Sequence, residues 1–272
     1  MNPCTSPAQN DIDQLIADSA WQNIHLGWME LSEIDPADKI IRIGEFESDK
    51  ILLGLQHVHD SVYWLHTFCS TFPPSDLDLS EALKACFPPS HYKLYAISSH
   101  KWFDSLLEKN GFMKCDEILQ FETDSISVPQ PRTDFMIEPF AESMITDAFA
   151  FEDVFPPLWR LDASEFDKAF RTSDWNNVIR MDGKLIGYLL ADRTEDDCHI
   201  NRLVVRQEFQ NSGAASALLG CLAGDCRKQN ITRFGVNTNK NNTAAVDFYL
   251  HRNFIRRGRI YLVYCRYLQV KE

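Results

Sequence analysis

From Asp134 onward the apolar positions keep changing period, and each change marks an element. Phe135–Phe140 alternates as a short strand, and Glu142–Phe151 and Ala163–Phe170 carry helical spacing. Asn177–Met181 and Lys184–Ala191 read as strands around Asp182-Gly183, a pair that supplies the positive φ a tight hairpin turn needs. His199–Val205 is a further strand. Ala214–Arg227 reads as a helix, with Leu218, Leu222 and Cys226 repeating every four residues. Arg233–Asn237 is a strand, Thr243–Arg252 a helix and Ile260–Leu268 a last strand. Strands and helices that alternate with hairpins predict an α/β (α+β) fold with a mixed, largely antiparallel sheet flanked by helices.

Part of this order occurs earlier. Tyr63–Cys69 and Lys93–Ser98 read as strands, Lys101–Lys109 as a helix and Glu117–Glu122 as a strand. The helix runs into Asn110-Gly111-Phe112 just as the later one runs into Arg252-Asn253-Phe254, which suggests an internal duplication. Between the halves, Glu122–Thr133 (ETDSISVPQPRT) has linker chemistry. Two tandem lobes are expected, 1–125 and 134–272, joined through 126–133.

Composition narrows the class. With 44% hydrophobic and 24% charged residues in 272, the chain is globular, and no apolar run approaches the roughly 20 residues of a membrane helix. The first twenty residues lack the basic start and apolar core of a signal peptide, so a cytoplasmic protein without membrane contact is expected. The eight cysteines form no C-x-x-C pair and read as reduced thiols, mostly buried. The eight histidines are dispersed, so no metal is expected. The net charge of -12 is uneven: 9 basic against 20 acidic residues precede Asp134, while 18 face 19 from there on. Residues 206–272 alone hold 11 basic and 4 acidic side chains. The acidic total opposes nucleic acid, whereas a small polyphosphate ligand needs only a local basic patch.

Leu203–Leu219 (LVVRQEFQNSGAASALL) places a β-rich strand before a polar turn, then Gly213, then a slim helix start at Ala214, Ala215 and Ser216. Gly213 permits positive φ or close backbone approach, and exposed helix N–H groups suit phosphate oxygens. Taken alone, the segment also fits an ordinary strand-turn-helix connection.

A second segment, Asn242–Phe254 (NTAAVDFYLHRNF), changes the reading. Together the two resemble the GNAT N-acetyltransferase family over about residues 134–272. In its cofactor loop pattern Val205, Gln210, Gly213 and Ala215 match, Gln207 replaces a proline and Asn211 stands where many members have a glycine. In its second pattern Asn242, Ala245, Phe248, Tyr249 and Phe254 match, with Asn253 in place of glycine. The resemblance implies acetyl-CoA as co-substrate. Leu203, Val204 and Val205 would lie on a strand splayed from its neighbour to pair with the pantetheine amides. Gln210, Asn211, Ser212, Gly213, Ala214, Ala215 and Ser216 would hold the pyrophosphate, and Asn242 would touch the pantetheine arm. Tyr249 would stand near the CoA sulfur as general acid; as a residue it also fits a core aromatic. Arg206, Lys240 and Arg252 are candidates to offset the phosphates.

Many family members carry a glutamate where this chain has Asn201, and an amide is no proton acceptor. His199, two residues earlier on the same strand face, can act as base or be structural. The turn acids Glu195, Asp196 and Asp197 are a further option, or simply solvated. Trp159, in the rigid run Phe155–Arg160, is a candidate acceptor-binding residue, and Asn201 and Arg202 are candidates to orient the acceptor. Nothing in residues 1–133 resembles the cofactor loop: His100 and Leu107 stand opposite Asn242 and Tyr249, and prolines follow Tyr63–Cys69. The first lobe is therefore expected to be GNAT-like without a CoA site. The expected activity is acetyl transfer to a primary amine of a small molecule by direct attack. A protein amine as acceptor, or a CoA-binding module without turnover, are the alternatives.

Overall fold

The computed structural model describes residues 23–26, 39–46, 49–70, 77–128, 134–194, 196–258 and 260–271, with side chains from Ile51 onward apart from Thr67. Cys4, Thr71–Pro74, Glu195 and residues 129–133 of the expected linker lie outside them.

The chain forms two compact units, and their boundary departs from the one expected. One unit takes the chain up to Ile118 together with the segment from Ile260 on; the other is Leu119–Arg259. The first contains strands β1 (Asn23–Leu26), β2 (Lys39–Phe46), β3 (Asp49–His59), β4 (Val62–Ser70) and β5 (Ser90–Ser98), with helices α1 (Leu79–Lys84) and α2 (Lys101–Lys109). Strand β6 (Met113–Thr123) contributes its residues to Ile118 there and the rest to the second unit. The last strand, β13 (Tyr261–Val270), lies between β5 and β6 in the first unit, antiparallel to both. Each unit thus receives a strand from the other half of the sequence. Strand pairing is non-local, and nothing in the apolar pattern of residues 261–270 says which half will accept them. Of the expected linker, Ile126 is buried in the second unit's core and Val128 packs against Gly220, so these residues are structural.

The second unit runs β7 (Phe135–Pro139), α3 (Ile145–Phe149), α4 (Ala163–Thr172), β8 (Trp175–Met181), β9 (Lys184–Thr194), β10 (Asp197–Val205), α5 (Ala214–Lys228), β11 (Arg233–Asn239), α6 (Thr243–Leu250) and β12 (Ile255–Arg256). Its strands stand in the order β6-β11-β10-β9-β8-β7, with β12 on β6. Strands β10 and β11 are parallel, and β7 to β10 form antiparallel neighbours. Asp182 and Gly183 adopt φ of 51° and 76°, the double positive pair expected of the β8–β9 turn. Helix α4 opens on a capping box in which Asp162 accepts from Glu165 N at 2.8 Å and Glu165 accepts from Asp162 N at 2.9 Å. Such a cap stabilises by about 1 kcal/mol.

The helix expected over Glu142–Phe151 is instead three short pieces, with 3-10 turns at Glu142–Met144 and Ala150–Val154 around α3. Ala148 and Phe151, three apart, both turn inward, a spacing that fits the tighter turn. One sheet face is covered by α5 and α6, whose Leu218, Leu222 and Cys226 are fully buried as their period predicted. Each such leucine contributes about 1.5–3 kcal/mol by burial. The other face carries Phe140, Phe166, Phe170, Tyr188, Leu190 and Val204 under α3 and α4. The described cysteines are free and mostly buried, and Cys115 is exposed.

Candidate active site

The site begins where two strands part. Parallel pairing of β10 with β11 runs from Asp197↔Arg233 to Ile200↔Val236 and ends there, although β10 continues to Val205 and β11 to Asn239. Asn201 is a bulge: Ile200 faces Ala191 on β9 but Arg202 already faces Leu190. Bulges bend and twist a strand, and this one sits at the point of divergence. Leu203, Val204 and Val205 remain paired to β9 through Leu189, Tyr188 and Gly187, and their other edge has no strand among the described residues.

The first unit contains the same construction. Strands β4 and β5 pair in parallel from Val62↔Lys93 to Leu65↔Ala96, and the next residue, His66, is bulged between Leu55 and Gly54 of β3. Beyond it, however, Thr67–Ser70 are paired with Leu26–Asn23 of β1. Since β3 occupies one edge of β4 throughout, β1 lies on the edge that β10 leaves open. The helix ends also correspond: Phe112 N donates to Leu107 O at 3.0 Å, and Phe254 N to Tyr249 O at 3.1 Å. Gly111 and Asn253 have φ of 73° and 67°, so Asn253 adopts the left-handed turn for which glycine is usual.

Val205 leads into the loop. Gln210 donates from Nε2 to Val205 O at 3.3 Å, and Ser212 Oγ donates to Phe209 O at 2.6 Å. Asn211 and Gly213 have φ of 58° and 97°, so the asparagine serves where a glycine is common and Gly213 makes the sharp entry to α5. Ala217 is the first residue whose N–H closes a helical bond, to Gly213 O at 3.0 Å. The amides of Ala214, Ala215 and Ser216 precede it at the positive end of a 15-residue helix. The Ser216 side chain is differently engaged: it is buried, and Oγ accepts from Arg252 Nη2 at 2.6 Å and Nε at 3.2 Å. Both acceptor positions of the Ser216 hydroxyl are thus taken, and Arg252 is held to α5. Arg206 lies over the Phe151 ring at 5.1 Å, 3.6 Å from Glu208.

Asn242 caps α6, accepting from Ala245 N at 3.2 Å. Two turns on, Tyr249 is buried beside Phe121, Phe248 and Phe254, with ring centroids 6.3, 5.3 and 5.2 Å away. Burial pushes its phenol well above the ordinary tyrosine range, so it stays protonated at neutral pH.

On the sheet face opposite α5, His199 faces Asp192 of β9 and Gly235 of β11 in register. Burial lowers the imidazole below its usual range, and Asp192 partly opposes that. Asn201 donates from Nδ2 to Asp192 Oδ2 at 2.5 Å. Next to them, Arg202 donates to Trp159 O at 2.9 Å, lies over the Phe155 ring at 4.3 Å and stands 3.7 Å from Glu152. Glu152 is 1% exposed and also receives the Tyr188 hydroxyl and Leu161 N, the latter at 2.9 Å. These bonds tie the segment around Trp159 to β10. Of the turn acids, Asp197 is paired with Arg233 at 2.6 Å.

Sequence reasoning missed Asp192, Asn237 and Glu152. One signal was present: with Asp197 paired to Thr194, antiparallel counting sets Asp192 opposite His199. No cluster of His, Cys, Asp or Glu that could hold a metal ion occurs among the described residues, and none of their helices is long and apolar enough to cross a membrane.

Residues 141–254 match the acetyltransferase (GNAT) family. No curated protein matches the sequence. Among solved structures, a GCN5-related N-acetyltransferase from Sphaerobacter thermophilus is similar over 82% of this chain and 82% of its own, with a TM-score of 0.60 at 12% identity. A tandem GNAT protein from the clavulanic acid biosynthesis pathway is similar over 86% and 85%, with a TM-score of 0.56 at 9% identity. A GCN5-related N-acetyltransferase from Kribbella flavida covers 83% and 89%, at 0.53 and 12%. At such identities the likeness is one of fold.

Proposed function

We propose that this chain, which carries an acetyltransferase (GNAT) domain over residues 141–254, is an acyl-CoA-dependent N-acetyltransferase that moves the acetyl group of acetyl-CoA to a primary amine of a small molecule. The observation that carries this reading is the open edge of β10 beyond Ile200↔Val236, which runs directly into the loop at Gln210–Ala215. Acetyl-CoA would supply an activated acyl carbon and a thiolate leaving group. Backbone groups of Leu203–Val205 would pair with its amide-bearing arm, and the N–H groups at the start of α5 would face its pyrophosphate. Asn242 would lie beside the arm as well as capping α6.

His199 is the proposed base. Its burial favours the neutral imidazole, which can take a proton from the attacking ammonium. The amine nitrogen then bonds to the acyl carbon, and the carbon–sulfur bond breaks as Tyr249 gives its phenolic proton to the departing thiolate. The second proton that the nitrogen sheds on becoming an amide returns through solvent to the tyrosinate. A backbone N–H on the open edge would stabilise the charge that develops on the carbonyl oxygen. Asn201 orients Asp192 rather than accepting a proton itself.

A small acceptor is favoured because Arg202 and Glu152 fasten the segment around Trp159 to β10, narrowing the approach on that face. We read the first unit as GNAT-like without a CoA site, since β1 occupies the corresponding edge of β4. Free, largely buried thiols suit a cytoplasmic setting.

The test is acetyl transfer to a panel of small primary amines, with Tyr249→Phe as control. Turnover should fall about 10²–10⁴-fold while acetyl-CoA affinity changes little. Unchanged turnover removes Tyr249 from the mechanism, and transfer to peptide amines alone overturns the small-molecule reading.

A further inference from the structure

Two buried oxygen acceptors beside His199 have no hydrogen-bond partner: Asp192 Oδ1 and Asn237 Oδ1. Leaving a buried acceptor without a donor is costly, so two in one patch mark a place where donors arrive from outside the chain. Their positions follow from the register. Asp192 faces His199 across β9–β10; Gly235 faces it across β10–β11, and Asn237 lies two residues further along β11 on the same side. Asn237 is also the first residue past the last parallel pair, Ile200↔Val236, at the mouth of the opening between β10 and β11.

The neighbouring cations are occupied elsewhere. Arg202 is bound to Trp159 O and stands against Glu152 and Phe155, and Arg233 is paired with Asp197. Asp192 has one oxygen fixed by Asn201, which holds the other in place. Gly235 lets the imidazole lie close against β11: a methyl group there would come within 3.3 Å of His199 Nδ1. The arrangement offers one carboxylate oxygen, one amide oxygen and an imidazole on the same face of neighbouring strands. A primary ammonium group carries one positive charge and three N–H donors, and it complements such a set.

We propose that Asp192 and Asn237 seat the ammonium group of the acceptor amine beside His199. This rests on the amine-acetyltransferase reading above and names how its second substrate is held. Asp192 and Asn237 are positioning residues: they bind the cationic form, and His199 receives the proton that must leave before the nitrogen can attack. Tertiary or quaternary amines, with fewer donors, fit the seat poorly.

The test uses the full chain and methylammonium as probe, following the His199 imidazole resonances by NMR up to about 0.1 M, where a millimolar site saturates. Methylammonium should shift them saturably, tetramethylammonium should not, and Asp192→Asn should weaken binding by about tenfold or more. Asn237→Ala, which adds no charge and removes one acceptor, should weaken it less and serves if the first variant fails to fold. No shift in the native protein, or equal binding by the native protein and the variants, overturns the proposal. The readout needs no turnover. Acetyl transfer without methylammonium binding at His199 would sink the seat and leave the enzyme reading standing; binding without any transfer would do the reverse.

Discussion

Gly187 lies so close to Val204 that a Cβ on it would stand 2.4 Å from the Val204 carbonyl oxygen. The same atom would be 3.2 Å from Val205 Cγ2. Gly187 is the register partner of Val205, the residue from which the loop departs, so its missing side chain sets how β10 lies on β9. Gly187→Ala should push β10 away, because the obstacle is backbone and cannot rotate aside. A loss of about 1–3 kcal/mol of stability is expected by urea unfolding, with weaker acetyl-CoA binding by calorimetry. Native stability and affinity in the variant would show that the contact relaxes freely.

His199 has its proton affinity lowered by burial, and a base works in its deprotonated form. Turnover should therefore fall only as the pH drops below the ordinary imidazole value of about 6.5, and stay flat above it until another group titrates. His199→Gln should remove that acid limb together with about 10²–10⁴-fold of turnover. A limb that persists in the variant assigns it to another group.

The two equivalent strand edges should respond differently to acetyl-CoA. Amides of Leu203–Val205 that point away from β9 should exchange quickly with deuterium and slow when acetyl-CoA is added. Those of Thr67–Ser70 should be slow beforehand, through β1, and unaffected. Calorimetry should give one cofactor per chain. A stoichiometry of two, or protection at Thr67–Ser70 on addition, would show that the first unit also binds it.

His66 stands at the bulge of β4, where Asn201 stands on β10. Burial lowers its pKa from 6.5 to about 4. A histidine held neutral in the fold favours the native state fully above pH 6.5, and that contribution drains away as pH falls towards 4. The amount at stake is about 3 kcal/mol, since each tenfold loss of proton affinity corresponds to about 1.4 kcal/mol. His66→Leu should flatten the loss of stability between pH 6.5 and 4 in denaturant titrations. An unchanged slope would place the acid sensitivity elsewhere.

Elements with one exposed face were legible along the chain. Lys101–Lys109 and Ala214 onward as helices, Asp182-Gly183 as a turn, and the strand that ends at Val205 all follow from local period and turn chemistry. So did the left-handed Gly213 and Asn253, because few residues tolerate that backbone. The run over Glu142–Phe151 misled because helical spacing of apolar residues does not distinguish a continuous helix from 3-10 turns around a buried Glu152.

The sequence by itself determined the loop, its helix and the positions of Asn242 and Tyr249, since each depends on residues close in the chain. Only the tertiary structure decided which strand edge stays open. Leu203–Val205 and Thr67–Ser70 follow the same parallel pairing and the same bulge, and what separates them is whether β1 arrives, some forty residues away in sequence. The tertiary fold likewise placed β13 in the first unit and set Asp192 and Asn237 on either side of His199. Pairing between distant strands costs chain entropy and is decided by the whole sheet, so no local pattern of apolar and polar residues records it.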